Sequence, residues 1–243
     1  MTIWFIWGYK DGDTWGLVER IAVQSAAVHN PDWAVVLVAR RMPSGPHWEA
    51  LRAAVPRLAV IPAPEVDTFR GRPIPAYQHR ADFVRHSLLY SQGGAYLDLD
   101  TITLAPFPAW WLEQPYVVGL EYHPDGRSIG LCNAAFVCRA FSDFGWRILS
   151  EYQHFDPAVH RYEEFAVNRP LAWAADMPGA VTVLQWSLLG PMHWASRVYW
   201  EEDLPLDGVV VARALVRLEE VLCHEVLAEL RGLTGTTGDQ TPF

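Results

Sequence analysis

Three short apolar runs separated by two segments of helical periodicity constrain this chain more than any other feature. Ile3 to Trp7 is β-branched and aromatic and stops at Gly8, the pattern of a buried strand. Ala34 to Val38 and Leu58 to Ile61 repeat that pattern. Between the first two runs, Trp15 to Val28 sets Leu17, Ile21, Ala22 and Val28 along one side. Thr14 stands where a helix cap belongs, and Asn30-Pro31-Asp32 breaks the chain behind it. A second helix is expected over Pro46 to Ala54. Strands alternating with helices in this way need crossovers, and crossovers join parallel neighbours. The expectation is an α/β chain with a mainly parallel, Rossmann-like sheet flanked by helices.

The segment Pro62 to Pro75 holds four prolines and reads as a surface loop, since the alternating pattern resumes directly after it. A helix follows from Tyr77 to Ser91, ended by Gln92-Gly93-Gly94. Ala95-Tyr96-Leu97 enters a strand that reaches Asp98. Further strands are expected at Tyr116 to Leu120, Ile129 to Cys138 and Val181 to Leu184. Further helices are expected at Ser142 to Tyr152, Tyr162 to Ala174 and Val216 to Leu230. A length of 243 residues suits one α/β domain. We place it at 1–233, with the Gly-, Thr- and Pro-rich stretch 234–243 as a frayed tail.

Charge narrows the partners. A formal net charge of −9 and a single lysine, Lys10, exclude a nucleic-acid binder and a polybasic membrane anchor. Cys132, Cys138 and Cys223 lack zinc-ligand spacing and read as reduced structural residues. Met1 leads into an apolar strand without the basic start of a signal peptide. No apolar run approaches the roughly 20 residues that span a bilayer. A cytoplasmic location with no membrane anchor is expected. The twelve tryptophans are chiefly packing residues, and secondarily flat platforms for sugar rings or bases.

The chemistry concentrates between Arg80 and Asp100. Asp82 and Arg85 stand at i and i+3 and share a helix face, while Ala81, Val84 and Leu88 form a neighbouring face able to pack on the sheet. Alone, such an acid–base pair is usually a surface salt bridge. Asp98 and Asp100 change that reading. Residues i and i+2 of a strand point to one side, and these two emerge at the carboxyl end of a buried strand, where open α/β sheets bind ligands. Two adjacent carboxylates repel unless a cation or proton joins them. Mg²⁺ or Mn²⁺ takes oxygen ligands and keeps substrate phosphates in its shell, so the pair suits a diphosphate–metal clamp. Alternation along Ile129 to Cys138 turns Cys132, Ala134, Phe136 and Cys138 one way and Asn133 the other, towards the ligand.

Asp82-x-x-Arg85 with Gly93-Gly94-x-Tyr96-x-Asp98-x-Asp100 resembles the sugar-binding region of glycosyltransferases that carry a DXD motif. That family includes yeast-type initiating mannosyltransferases, bacterial capsular sugar transferases and, more distantly, clostridial glucosylating toxins. Ile3-Trp4-Phe5-Ile6-Trp7-Gly8 resembles the family's first strand, and Asn30-Pro31-Asp32-Trp33 the segment before its second. Asn133-Ala134-Ala135-Phe136 resembles a downstream Asn-Ala-Phe element. The resemblance covers roughly the first 140 residues. It implies a glycosyltransferase-A-like domain that moves a hexose from a UDP- or GDP-linked donor to a soluble hydroxyl acceptor, with retention and with Mn²⁺ or Mg²⁺.

The resemblance also implies roles. Trp7 would stack on the base and Tyr96 would lie against the ribose. Asp82 and Arg85 would hold donor-sugar hydroxyls, Arg85 also lying near the diphosphate. Asp98 would touch ribose and metal, and Asp100 would ligate the metal. The chain departs from the family at Ala81, where Ser or Thr is usual. Leu189-Gly190-Pro191 resembles a late Gly-Pro turn, but His193-Trp194-Ala195-Ser196 follows it unusually closely. His193 is either a late metal ligand or a surface histidine, and His224 reads as solvated. A non-catalytic sugar-nucleotide or glycan-binding scaffold and a sugar-nucleotide hydrolase are the rival readings. The acceptor region is expected among Phe69 to Ala76, Tyr122 to Gly130 and Trp186 to Trp200.

Overall fold

Alternation along the first strand decides where the core lies. In the computed structural model, which describes residues 1–12, 14–122, 127–161, 163–184 and 211–213, β1 (Thr2–Trp7) sends Ile3, Phe5 and Trp7 to one face. It sends Trp4 and Ile6 to the other. α1 (Leu17–His29) and α2 (Pro46–Ala54) cover the first face, contributing Ala22, Val23, Ala26, Trp48 and Leu51 to its core. Full burial of side chains such as Phe5 and Leu51 stabilises by about 1.5–3 kcal/mol each.

β2 (Ala34–Ala39) and β3 (Ala59–Pro62) extend the sheet in parallel from β1. The expected Pro62–Pro75 loop contains a small hairpin, β4 (Thr68–Phe69) and β5 (Arg72–Pro73). α3 (Tyr77–Gln92) leads into β6 (Gly94–Leu97), which lies parallel to the other edge of β1. β7 (Thr101–Thr103) was not expected; it follows the turn after β6. β8 (Tyr116–Tyr122) and β9 (Ser128–Cys138) come next, then α4 (Asp143–Glu151), a π-helical turn at Glu164–Asn168, and α5 (Arg169–Asp176). β10 (Thr182–Leu184) completes a seven-stranded sheet ordered β10-β8-β9-β6-β1-β2-β3. β9 is antiparallel to both neighbours, and the remaining pairs in the sheet are parallel. β11 (Val211–Arg213) pairs antiparallel with β7 outside that sheet.

Several local expectations need correction. The cap of α1 is Gly16 rather than Thr14, and the Glu19 carboxylate accepts the Gly16 N–H at 2.8 Å. β6 ends at Leu97, so Asp98 stands in the turn: its carbonyl accepts from Thr101 N at 3.2 Å and from Thr101 Oγ1 at 2.7 Å. A shift of register at Gly119, opposite Cys132, breaks the simple alternation expected of β9. Phe136 and Cys138 share a face with Leu131, while Ala135 and Val137 face the α1–α2 core. A bulge of this kind re-aims side chains locally. Leu88 packs against the core beside Val84 as expected, and Leu89 is buried there as well.

Two turns fix the elements that matter for function. Asn30 closes α1 by donating to Ala26 O at 3.2 Å, and its Oδ1 accepts the Phe107 N–H at 2.9 Å. Gly93 (φ +68°) and Gly94 (φ +108°) take left-handed backbone between α3 and β6. A Cβ on Gly94 would stand 2.3 Å from the Thr2 carbonyl oxygen, so that position admits glycine alone. His193, Cys223, the expected Val216–Leu230 helix, the 234–243 tail and all of Trp186–Trp200 lie outside the described residues, as does Tyr162. Among the described residues no helix is long and apolar enough to cross a membrane.

Candidate functional site

The carboxyl ends of β1 and β6 open onto a cavity of about 620 Å³, in the position where parallel sheets bind ligands. One wall is the end of β1 and the chain beyond it, from Ile6 to Lys10 and from Thr14 through the start of α1. The facing wall is α3, which contributes Tyr77, Gln78, Ala81, Asp82 and Arg85. Tyr96, Asp98, Leu99 and Asp100 form the floor with Asn133. Seven residues singled out by sequence therefore meet here: Trp7, Asp82, Arg85, Tyr96, Asp98, Asp100 and Asn133. The eighth, His193, is outside the described residues.

Asp82 and Arg85 are no surface pair, being 2% and 7% exposed. Arg85 is the hub. Its Nη1 lies 3.1 Å from Asp98 Oδ1 and donates to the Asn133 carbonyl at 2.7 Å, and its Nε lies 3.5 Å from Asp82 Oδ1. Its guanidinium also lies 4.6 Å from the centre of the Tyr96 ring, within cation–π range. Asn133 Nδ2 donates to Asp82 Oδ1 at 2.8 Å, and the Tyr96 hydroxyl donates to Asp98 Oδ1 at 2.5 Å. Asp82 Oδ2 is buried with no hydrogen-bond partner among the described residues.

Burial sets the protonation of this network. It pushes the Asp82 carboxyl up to about 7; Asp98 adds to the rise, while Arg85 and the Asn133 hydrogen bond oppose it. Burial also works against the Arg85 charge, but Asp98, Tyr96 and Asp82 together outweigh it and hold the guanidinium above its ordinary range. Burial keeps the Tyr96 hydroxyl well above its usual value, so it stays a donor to Asp98. His86, on the next turn of α3, is driven down to about 3 by burial and by Arg85, and is neutral at physiological pH.

The donor set fits one kind of metal. Among the described residues no group of three or more His, Cys, Asp or Glu is placed to hold an ion. Asp98 and Asp100 offer carboxylate oxygens on the cavity wall. A hard cation that also binds substrate phosphates needs just one or two protein carboxylates, so the pair fits Mg²⁺ or Mn²⁺. Asp98 Oδ1 is already engaged by Arg85 and Tyr96.

The aromatic residues are placed differently from one another. Trp7 is 6% exposed, edge-on to Trp15 with centroids 5.1 Å apart, and its Nε1 is buried without a partner among the described residues. Tyr96 is wedged between Arg85 and Phe136, so its fixed contact is with Asp98 rather than an open face. Lys10, Glu19, Tyr77 and Gln78 also line the cavity and were not singled out from sequence. For Gln78 a signal existed: Gln78, Asp82 and Arg85 follow i, i+4, i+7 spacing, the stripe of one helix face.

Residues 18–117 match the family model described as the glycosyltransferase sugar-binding region containing the DXD motif. Glucan organizing enzyme 1 of Cryptococcus neoformans var. grubii is 31% identical over 180 residues, which make up 72% of this chain and 48% of that enzyme. The chain thus spans about half the length of this curated relative. The apo form of the glycosyltransferase GlyE of Streptococcus pneumoniae matches with a TM-score of 0.57 at 11% identity, over 96% of this chain and 62% of that one. The galactosyltransferase LgtC, solved with donor and acceptor sugar analogues, matches with a TM-score of 0.51 at 13% identity, over 99% and 98%. At such identities these two structures bear on fold alone, and the fold agrees with the expected glycosyltransferase-A type.

Proposed function

We propose, from the premise that this chain belongs through residues 18–117 to the DXD-containing glycosyltransferase sugar-binding family, that it transfers a hexose from a nucleoside diphosphate to a hydroxyl acceptor. The observation that carries this reading is convergence: helix α3, the turn after β6 and strand β9 bring Asp82, Arg85, Asp98, Asp100 and Asn133 to one cavity. Pure glycan binding has no need of paired carboxylates beside a buried arginine. Asp98 and Asp100 would hold Mn²⁺ or Mg²⁺. When bound, such an ion supplies Lewis-acid charge to the leaving diphosphate.

The chain's own residues supply the rest. Arg85, fixed by Asp82, Asp98 and the Asn133 carbonyl, presents a permanent positive charge where the diphosphate departs. Asp82, near its midpoint at neutral pH, keeps Oδ2 available to donate to or accept from a sugar hydroxyl. Tyr96 orients Asp98, and Trp7 supplies an edge or face for the base at the cavity wall. Retention follows if the acceptor attacks from the leaving-group side. The C1–O bond to the diphosphate breaks, the C1–O bond to the acceptor forms, and the leaving phosphate oxygen takes the acceptor proton. That route requires no protein nucleophile.

A single catalytic domain over 1–233 and a soluble acceptor complete the proposal. Cys132 and Cys138 are both buried, and a cytoplasmic setting is part of the same proposal. The test is calorimetric titration of UDP and GDP, each with Mn²⁺ and with chelator, on wild type and Asp100→Ala. One nucleotide is expected to bind in a metal-dependent way, and at least roughly tenfold more weakly in the variant. If neither nucleotide binds with metal, the scaffold reading replaces this one. Donor cleavage that no acceptor accelerates makes the protein a hydrolase.

A further inference from the structure

Tyr152 opens the 3-10 turn that follows α4 and is almost wholly buried, at 1% exposure. It is not among the described residues that line the large cavity. Its ring packs on α3, with centroids 5.2 Å from Phe83 and 6.3 Å from His86, and touches Phe155 and Phe165, each at 5.7 Å. Phenylalanine would serve that packing equally well. The hydroxyl needs its own explanation, because a buried polar atom without a partner is costly. Among the described residues it has none. Burial keeps it protonated at neutral pH, an effect that Asp82 strengthens and Arg85 opposes, so it stands within electrostatic reach of both. One stretch of α3 offers the complement. Asp82 Oδ2, Arg85 Nε and His86 Nε2 are also buried without partners among the described residues, and Asp82 and His86 are neighbours at i and i+4.

We propose that Tyr152 is a positioning residue for Asp82, acting through a buried water that bonds both the tyrosine hydroxyl and Asp82 Oδ2. The role rests on the donor reading above, in which Asp82 holds a hydroxyl of the donor sugar. Polar atoms gathered in a protein interior are the usual setting of such a water, which typically makes about three hydrogen bonds. The hydroxyl donates or accepts, the carboxylate accepts, and Arg85 Nε or His86 Nε2 can supply the third. Asp82 Oδ1 is already fixed, accepting from Asn133 Nδ2 at 2.8 Å and facing Arg85 Nε at 3.5 Å. The terminal torsion of an aspartate is soft, so a carboxylate held at one oxygen still turns, and one held at both does not. The water leaves a lone pair of Oδ2 for the sugar. Tyr152 thus sets the direction from which the sugar hydroxyl is received, without touching the donor. The diphosphate end, at Asp98 and Asp100, does not depend on it.

Calorimetry separates the sugar end from the nucleotide end. UDP, GDP, UDP-glucose, UDP-galactose and GDP-mannose are titrated with Mn²⁺ into wild type, Tyr152→Phe, Asp82→Asn and the double variant, after urea midpoints have shown each to be folded. Tyr152→Phe should bind the bare nucleotide within about twofold of wild type, and the sugar conjugate that wild type prefers about three- to tenfold more weakly. In the Asp82→Asn background the same substitution should move the conjugate by less than about twofold, since a residue that acts through Asp82 has nothing left to act on. A tyrosine that merely fills space would weaken nucleotide and conjugate alike, or by the same factor in both backgrounds, and either result overturns the proposal. Unchanged conjugate affinity in Tyr152→Phe overturns it too. A crystal structure of the wild type should show one water within about 3.2 Å of both Tyr152 Oη and Asp82 Oδ2; a hydroxyl bonded elsewhere, with no such water, removes the link. If wild type binds neither nucleotides nor conjugates, the donor reading itself fails and the positioning role falls with it.

Discussion

The two faces of the central sheet are both buried, but by opposite means. Under α1 and α2 the interior is apolar: Phe5, Leu37 and Leu51 surround a ladder of Trp7, Trp15 and Trp48, with 5.1 Å between centroids at each step. Under α3, Val84 and Leu89 share the interior with Asp82, Arg85 and His86. The first face is stabilised by area removed from water and needs no further arrangement. The second holds charges whose desolvation is offset only while each one faces its partner. The apolar face thus keeps the molecule folded, and the ionic face is a site held in place by that stability.

The sharpest way to break this contrast is Arg85→Met. It leaves the Asp82 and Asp98 carboxylates without their shared cation, and should destabilise the protein by about 3–5 kcal/mol in urea unfolding, with nucleotide binding lost. The double variant Asp82→Asn/Arg85→Met should recover part of that stability and none of the binding. A loss below about 1 kcal/mol for Arg85→Met would put the ionic face on a par with surface pairs. Leu51→Ala on the opposite face should cost about 3 kcal/mol through the cavity it leaves, while the folded protein keeps its nucleotide affinity. A fall in affinity there would show that the two faces are coupled.

The smallest expected effect lies in the pH dependence. Asp82 is raised from 3.8 to about 7 on folding, so the folded protein holds the extra proton and stability falls as pH rises between those values. His86 is lowered from 6.5 to about 3. There the unfolded chain takes the proton first, so stability falls as pH drops through that range; His79, also lowered by burial, adds in the same direction. The slopes oppose each other between about pH 4 and 6.5. Asp82→Asn should therefore lose stability on acidification more steeply than wild type, and His86→Phe less steeply. Urea midpoints at about pH 4.5, 5.5 and 6.5 measure both. Unchanged slopes in both variants would mean that neither group titrates differently on folding.

The apolar face was legible in the sequence because its physics is periodic. Ile3 to Trp7, Ala34 to Val38 and the α1 and α2 patterns lie where alternation and i, i+4 spacing put them. The ionic face was legible only through its chemistry. The buried stripe of α3 includes His79, Asp82, Arg85 and His86, residues that a hydrophobicity pattern assigns to solvent, while Val84 and Leu88 pack towards the core as the pattern expects. The DXD segment pointed to the right sheet edge, but through a strand alternation that stops at Leu97; a turn, held by Thr101, performs the placement. Asn133 reached the site past a register shift that no local pattern encodes, because it depends on which strand lies alongside. Tyr77 went unremarked because an exposed tyrosine at a helix start means little until a cavity is seen beside it.

Gly94 makes α3 and β6 limbs of a single clamp. With no space for a side chain against Thr2 O, and with Trp4 Nε1 fastened to the Gly93 carbonyl at 2.9 Å, the link between the limbs cannot serve as a hinge. The spacing between Arg85 on one limb and Asp98 on the other is therefore fixed before any donor arrives. Under the proposed function, a donor held between two limbs fixed in this way would bind with little loss of chain entropy. The opposite jaw, the segment after β1, is built otherwise: there Gly8 and Gly12 take left-handed backbone.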